Sequence, residues 1–179
     1  MSELRAAVEE DLKYAYASNY DIRSVQDGSA LKALCSYHQR NSQYVLMKKA
    51  ELWAAESHEY LYLWSLDVLD ENALQYIVQF VLEDGEPRIK PHSQHMYTYL
   101  SAVVLYEKAD TKALDRLKTL KKRREFKLSL HGWMEFRIAA VDVSTGEITV
   151  NRSGKTMERD LKRLTAHAIS KHFGEEKHQ

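Results

Sequence analysis

The chain has 179 residues, 44% of them hydrophobic, which is enough to bury one core and too apolar for a disordered protein. Its 26 basic and 26 acidic residues cancel, so a broad nucleic-acid-binding face is not favoured, and its single cysteine forms no internal disulfide. The charged N-terminal segment and the lack of an apolar run of roughly 20 residues argue against a signal peptide and a membrane span, so we expect a cytoplasmic protein with no membrane partner.

The first third of the chain predicts a helix and then several short strands. Ser2 is a suitable N-cap for a helix that extends to Ala17. Apolar residues alternate in 31–38 as in a strand, although Leu34 interrupts the alternation and also fits a short helix; a strand is slightly favoured. Short strands with brief connections indicate an antiparallel meander. The other elements predicted here are strands at 44–53 and 60–64 and a turn at 39–42.

The remaining two thirds of the chain alternate helices with apolar strands. Asp70 is predicted to cap a helix that ends at Gly85. Residues 96–106 are apolar on nearly both faces, which is typical of a central strand that is covered on both sides. The other predicted elements are a helix that begins at Asp110, a strand-rich segment at 128–143, a hairpin at 141–150 that turns at Thr145-Gly146, and a helix capped by Thr156.

These elements together predict one α+β domain over residues 1–170, followed by a polar, frayed tail at 171–179. The expected fold is a twisted, mainly antiparallel sheet with helices packed against it. Its strands form a meander and then a strand–helix–strand hairpin. The sequence contains no internal repeat and no linker-like segment that would divide the chain.

One segment resembles part of a phosphate-binding loop. Ser153-Gly154-Lys155-Thr156 follows a predicted strand and opens a helix, but the full motif requires a glycine where this chain has Thr149. A turn at Gly154 and an N-cap at Thr156 explain these residues without a nucleotide. We therefore expect no cofactor.

Two pairs of residues suggest nucleophilic or metal chemistry. Cys35 and His38 are surface neighbours if their segment is helical, but they face opposite ways on a strand, and a buried, inert thiol is favoured. His92 and His95 have a spacing that suits two metal ligands, yet no third ligand accompanies them in sequence. These two histidines are the metal-binding candidates of the chain, and a structural role is the competing explanation. In His131-Gly132-Trp133, the glycine indicates a bend and the indole is expected to pack.

A basic segment supplies the candidates for nucleic-acid binding. Its cations could contact phosphates, and Phe126 could stack on a base. The competing explanation is the C-terminal end of a helix, where cations offset the helix dipole. Zero net charge favours the second explanation. The candidate residues are Lys118, Lys121, Lys122, Arg123, Arg124 and Lys127.

Glu125-Phe126-Lys127 carries the Glu-x-Lys spacing of a large class of metal-dependent nucleases. The predicted helix–meander–helix–strand order is also similar to that class. Those enzymes need a further acid on the neighbouring hairpin strand, close enough to share Mg²⁺. Glu51 and Glu59 lie on candidate hairpin strands but lack a lysine two residues on, so the catalytic set is incomplete.

The chain also contains 11 tyrosines, several of them at strand spacing. Tyr60 and Tyr62 share one strand face, as do Tyr97 and Tyr99. Cross-strand packing is the favoured explanation of this pattern, and an exposed surface for a partner is the alternative.

Three segments carry a family resemblance. They are Tyr37–Tyr44, Pro91-His92 with His95-Met96, and His131-Gly132-Trp133 with Arg137. Their order and the strands between them resemble a family of small, uncharacterised bacterial proteins of unknown function, over roughly Tyr20 to Gly154. The resemblance implies a bacterial, cytoplasmic origin and no particular activity.

The hypothesis we favour from the sequence is a non-catalytic binding or regulatory module. It would act on a protein partner or as a homo-oligomer, with nucleic acid as a less favoured partner. The alternative is a metal-dependent, nuclease-like enzyme that holds phosphates with the basic segment. The sequence therefore leaves both an enzymatic and a non-enzymatic function open.

Overall fold

The computed structural model describes the backbone of residues 2–45 and 50–176, and the side chains in these ranges except those of 41–54, 168 and 172–176. The helices are α1 (Glu3–Tyr16), α2 (Glu71–Gly85), α3 (Thr111–Thr119) and α4 (Lys155–Glu176), with a 3₁₀ turn at Glu86–Arg88. The strands are β1 (Asp21–Ser24), β2 (Leu31–Val45), β3 (Ala50–Leu69), β4 (His95–Ala109), β5 (Arg123–Glu125), β6 (Trp133–Asp142) and β7 (Ile148–Val150).

The strands form one mixed sheet in the order β1-β2-β3-β4-β6-β5, with β7 also beside β6. The predicted α+β class is confirmed, and most strand pairs are antiparallel. The centre of the sheet differs from the prediction, because β3, β4 and β6 are parallel neighbours. Parallel strands need a long return connection, and α2 provides one between β3 and β4.

Helices cover both faces of the sheet and create two cores. On one face, α2 and α3 pack against side chains such as Trp64 and Phe136. On the other face, α1 and α4 pack against side chains such as Leu63 and Val103. Residues 100–106 of β4 are buried without interruption, so the predicted central strand is confirmed. Burial of each large aliphatic or aromatic side chain contributes roughly 1.5–3 kcal/mol.

The helix ends follow the predictions in part. Ser2 and Asp70 cap α1 and α2, and each side chain accepts a hydrogen bond from a backbone N–H in the first turn. Gly85 ends α2, and a Cβ there would lie 2.7 Å from Cδ2 of Leu100, so glycine lets the helix approach β4. The predicted cap at Thr156 is wrong, because α4 begins one residue earlier, at Lys155.

The boundaries of β2 and β3 are the largest departure from the prediction. The segment 31–38 is a strand, but it continues to Val45, so the predicted turn at 39–42 is wrong. The predicted strand at 44–53 combines the end of β2 with the start of β3, and residues 46–49 lie outside the described residues. The polar segment 39–42 contains no glycine or proline to force a turn, and its backbone pairs with residues 54–57 of β3.

These two strands extend past the rest of the sheet. The β1–β2 pairing ends at Ser36, and the β3–β4 pairing begins at Glu56. Residues 41–45 and 50–55 therefore pair only with each other. We call this two-stranded extension the arm.

The C-terminal half matches the prediction in its hairpin and differs before β6. The β6–β7 hairpin turns at Thr145-Gly146, where Gly146 has φ +75°. The strand expected from residue 128 begins only at Trp133, because residues 127–129 form a turn of three left-handed residues. The helix α4 continues through residue 171 to Glu176, and the predicted single domain and frayed tail stay predictions. None of the described helices has the length and apolar character needed to cross a membrane.

Candidate functional site

The three segments that carried the resemblance meet where β4 and β6 begin. Cross-strand pairing places His38 opposite His58, and His58 beside Thr98 of β4. The carbonyl of His131 accepts a hydrogen bond from His95, 36 residues away. We call this region the polar end; its residues are His38, Glu56, His58, Glu59, His92, His95 and Arg137.

A buried ion pair between Glu59 and Arg137 occupies the α1/α4 face of the polar end. Both residues are 8% exposed. The Tyr20 hydroxyl donates to Glu59 Oε2 at 2.8 Å. Arg137 donates to Ser101 Oγ at 3.1 Å and to Thr156 Oγ1 at 3.2 Å. The pair is thus hydrogen-bonded on both sides, as buried charges require.

The arginine also joins four elements of the fold. Its guanidinium carbon lies 3.7 Å from the centre of the Tyr99 ring, a cation–π contact. Through its other contacts Arg137 connects β6 to β3, to β4 and to the first turn of α4. Because these contacts engage the whole guanidinium group, Arg137 serves to hold the four elements together.

The nucleophiles near this ion pair are held in their protonated forms. Burial, and then the Glu59 carboxylate, raise the pKa of Tyr16 and Tyr20 well above the ordinary tyrosine range. The same causes raise the pKa of the Cys35 thiol to about 12. Cys35 is fully buried and His38 is exposed on the opposite strand face, so the structure separates the pair considered from sequence. Since the thiolate is the reactive form, Cys35 is inert at neutral pH.

The α2/α3 face of the polar end carries a cluster of histidines. His38 Nδ1 lies 2.7 Å from His58 Nδ1, and the rings meet edge to face. His92 Nε2 lies 3.1 Å from Glu56 Oε2, and Arg40 pairs with the same carboxylate at 3.3 Å. Burial first, and then the positive potential of His38, lower the pKa of His58. His58 therefore binds a proton only at a lower pH than an ordinary histidine does.

His95 is buried below this cluster, and both of its ring nitrogens are engaged. Nδ1 lies 2.7 Å from the His131 carbonyl oxygen, and Nε2 lies 2.9 Å from Thr98 Oγ1. The rings of His92 and His95 are 6.3 Å apart, so the structure brings the two metal candidates near each other. Among the described residues, no group of three His, Cys, Asp or Glu side chains is arranged to hold a metal ion.

Gly132 allows this close arrangement. It has φ +74°, which favours glycine, and a Cβ there would lie 2.6 Å from the His95 carbonyl oxygen and 2.7 Å from His95 Nδ1. The neighbouring Trp133 packs against Tyr97 and under Arg123. The predicted bend and packing of this segment are both present.

The basic segment is divided between the two faces of the sheet. Arg123 lies 4.8 Å from the Trp133 ring on the α1/α4 side, whereas Arg124 pairs with Glu86 near the end of α2. Lys122 lines a groove along α2 and α3, and Lys127 lies in the left-handed turn. The helix-terminus explanation fits Lys118 but is wrong for the other five candidates, which follow the end of α3.

Lys118 and Lys121 do meet in one hollow with residues from another part of the chain. The hollow has a volume of about 540 Å³ and lies between the end of α3 and the start of α4. Its one acid, Glu135, accepts a hydrogen bond from Ser153 at 2.6 Å and pairs with Arg123 at 3.7 Å. We call it the cationic hollow; it is lined by Lys118, Thr119, Leu120, Lys121, Glu135, Arg152 and Ser153.

Residues 5–163 match the family model described as a domain of unknown function (DUF8052). The chain belongs to this family. A search of the curated proteins and a search of the solved structures each return no match. The DUF8052 match includes the polar end and the cationic hollow, and it ends within α4. The resemblance to a family of unknown function is therefore confirmed.

Within this DUF8052 fold, the nuclease-like residues do not form a set. Glu125 ends the edge strand β5 and Lys127 lies in the following turn, and both side chains are exposed. Glu59 is paired with Arg137, and the residue two positions on is the buried Leu61. The side chain of Glu51 lies outside the described residues.

The phosphate-loop-like segment and the tyrosines have structural roles in this DUF8052 chain. A Cβ at Gly154 would lie 2.6 Å from the Ile138 carbonyl oxygen, so the glycine serves close packing. Tyr62 is buried and donates to Asp84 at 2.6 Å, and the rings of Tyr97 and Tyr99 pack 4.8 Å apart. These contacts agree with the packing explanation.

Sequence reasoning missed the part that His58, Glu56 and Arg152 play in these sites. His58 and Glu56 alternate on one face of β3, which is a usable signal once the strand is known. Their partner His38 follows only from the β2–β3 register. Arg152 has no local signal, because α3 and the start of α4 meet only in the folded chain.

Proposed function

We propose that the chain is a non-catalytic binding module whose ligand presents an anionic group to the cationic hollow. The observation that carries the proposal is the charge of the hollow: Lys118, Lys121 and Arg152 line it, Lys118 is paired with Asp115 at 3.1 Å, and the one acid of the lining is already engaged. Lys121 and Arg152 have no ion pair among the residues whose side chains the structure describes. The volume of about 540 Å³ lies within the usual range of ligand sites.

The state of the candidate catalytic groups supports binding over catalysis. Glu59 is neutralised by Arg137, and the Cys35 thiol has a pKa raised to about 12. A general base or nucleophile works best with a pKa near the operating pH. The alternative, a metal-dependent, nuclease-like enzyme, stays a prediction. The exposed side chains of Glu125 and Lys127 do not support it.

The expected bearer of the anionic group is a protein partner with an acidic or phosphorylated segment. A nucleic acid is less favoured, since the basic segment is divided between two faces and offers no continuous track for a phosphate backbone. A second copy of the chain is the other bearer to separate by experiment. The proposed location is the bacterial cytoplasm, because the sequence resembles a family of small bacterial proteins.

A nuclear magnetic resonance titration with three probes tests the proposal: an oligoglutamate peptide, a phosphoserine peptide and a duplex oligonucleotide. We expect the peptides to shift amide signals of residues 118–121 and 152–153, with binding that weakens as salt is added. Replacing both Lys121 and Arg152 by glutamate should reduce the affinity at least about tenfold. Lys112→Glu on α3 is the matched control, because Lys112 does not line the hollow.

Three results would count against the proposal. Equal binding by the native protein and the double variant would remove the hollow as the site. No shift with either peptide would remove the anionic ligand. Cleavage of the oligonucleotide in the presence of Mg²⁺ would replace the binding module with the nuclease-like enzyme.

A further inference from the structure

The root of the arm is held by paired side chains. Arg40 and Glu56 face each other in the row that ends the pairing of β3 with β4. His38 and His58 face each other two residues further into the sheet. Beyond these rows the arm is a two-stranded ribbon, and such ribbons are only marginally stable by themselves. Its order therefore depends on contacts at its root.

The contact between His38 and His58 depends on the number of bound protons. The two Nδ1 atoms are 2.7 Å apart, a distance at which one must donate a proton and the other must accept it. A single Nδ1 proton between the two rings forms an N–H···N hydrogen bond, and this bond persists when one of the rings is an imidazolium. When both rings are protonated from solvent, two donors and two positive charges face each other. The hydrogen bond then cannot form.

The surroundings make protonation of both rings accessible yet unfavourable. His38 is exposed to solvent, and the His58 side chain is 24% exposed. Positive potential from the neighbouring His92 and His95 opposes protonation of His58, and Glu56, 3.9 Å from His58 Nε2, favours it.

Two further groups border the pair. The Tyr60 ring packs edge-on against His38. Arg40 pairs with the Glu56 carboxylate and offsets part of its negative charge. The balance of these charges lowers the pKa of His58, with burial as the largest cause. Protonation of both rings therefore requires a pH below the ordinary histidine range.

We propose that the His38–His58 pair is a proton-operated clasp at the root of the arm. With one Nδ1 proton between the rings, the clasp holds β2 and β3 in register. With both rings protonated, the clasp opens and the arm loses order while the helix-covered sheet keeps it. The order of the arm therefore depends on pH, and so does any surface that the ordered arm presents.

Hydrogen exchange of the backbone amides, compared at about pH 7.5 and about pH 5, measures the opening of the clasp. After correction for the intrinsic exchange rate, the amides of the arm should exchange about three- to tenfold faster at the lower pH, the range expected for loss of one hydrogen bond. Amides at 100–105 in β4 should not change.

His38→Gln separates the clasp from other effects of acid. The glutamine oxygen can accept a proton from His58 Nδ1–H but cannot take a second proton, so the arm should stay protected at both pH values. His167→Gln, at an exposed site on α4, should keep the native response. His58→Gln provides the same test from the other strand if the first variant does not fold.

Three outcomes would overturn the clasp. The first is a native arm whose corrected exchange does not change with pH. The second is a His38→Gln arm whose exchange changes as much as that of the native arm. The third is an imidazole ¹⁵N spectrum at neutral pH in which the two Nδ1 atoms are both protonated or both bare.

Discussion

The two faces of the polar end differ in how their ionisable groups are buried and paired, although residues of both faces alternate along the same strand, β3. Glu59 faces α1 and α4, where Arg137 neutralises it and both side chains are buried. His58, the preceding residue, faces the other side, where imidazoles and one carboxylate remain partly exposed. The charges on the first face neutralise each other, whereas on the second face burial and then the positive potential of His38 lower the pKa of His58.

The difference follows from what covers each face. On the first face, the beginning of α4 brings Thr156 to Arg137 and excludes water. On the second face, α2 ends at Gly85 beside Leu100, and His38 remains exposed and His58 partly exposed. The same sheet therefore holds a structural ion pair on one side and a titratable cluster on the other. The extent to which helices cover a face decides whether its ionisable groups are buried as an ion pair or remain partly exposed.

The largest expected effect is on the covered face. Arg137→Met should lower the free energy of unfolding by about 3–5 kcal/mol, because it leaves the Glu59 carboxylate buried without its partner. Urea unfolding monitored by circular dichroism measures the loss.

A double variant provides the control for this prediction. Arg137→Met combined with Glu59→Leu removes both charges and should be less destabilising than Arg137→Met alone. A single variant that loses less than about 1 kcal/mol would show that the pair is effectively exposed, and the contrast between the faces would fail.

A smaller effect is expected where Gly132 supports the histidine face. Gly132→Ala should cost about 2–4 kcal/mol, since it combines a left-handed backbone with a Cβ pressed against His95. It should also shift the ¹⁵N signals of the His95 ring. Gly28→Ala is the matched control: Gly28 has φ +82° but no atom within 4 Å of the added Cβ, so only about 1 kcal/mol is expected. Equal costs at the two sites would rule out the close approach to His95.

The smallest effect concerns the pH dependence of global stability. The pKa of His58 lies below its ordinary value of 6.5 in the folded protein, so the unfolded chain binds the proton more tightly. The free energy of unfolding should be highest above pH 6.5 and should fall as the pH decreases from there towards the folded-state pKa.

Urea unfolding at about pH 7.5 and about pH 5.5 measures this decrease, and His58→Gln should make it smaller. The Asp84 carboxyl does not interfere, because Arg88 lowers its pKa below 3.8 and its contribution is lost only at more acidic pH. A decrease of the same size in His58→Gln and in the native protein would show that the histidine face does not titrate as proposed.

Local chemistry made most of the secondary structure predictable from the sequence. The caps at Ser2 and Asp70, the apolar run of β4 and the turn at Gly146 each depend on residues close in the chain. The extension of β2 through 39–45 was not predictable in this way. Its polar residues resemble a turn, and pairing with β3 overrides that preference.

The candidate sites were less predictable, because they depend on register and on distant contacts. His92 and His95 stood out in sequence, but the engagement of both His95 nitrogens depends on His131 and Thr98. Glu59 was considered only as a catalytic acid, and its partner Arg137 lies 78 residues away. No local pattern encodes a partner at that separation.

The parallel centre of the sheet also affects how the chain is made. The strand β3 has 20 residues, and the edge formed by residues 56–69 stays unpaired until β4 is synthesised, which begins 26 positions after β3 ends. An exposed edge of that length invites pairing with other nascent chains. Synthesis of β4 and β6 therefore closes the interval in which the chain is most prone to aggregate, and a product truncated after α2 would remain in that state.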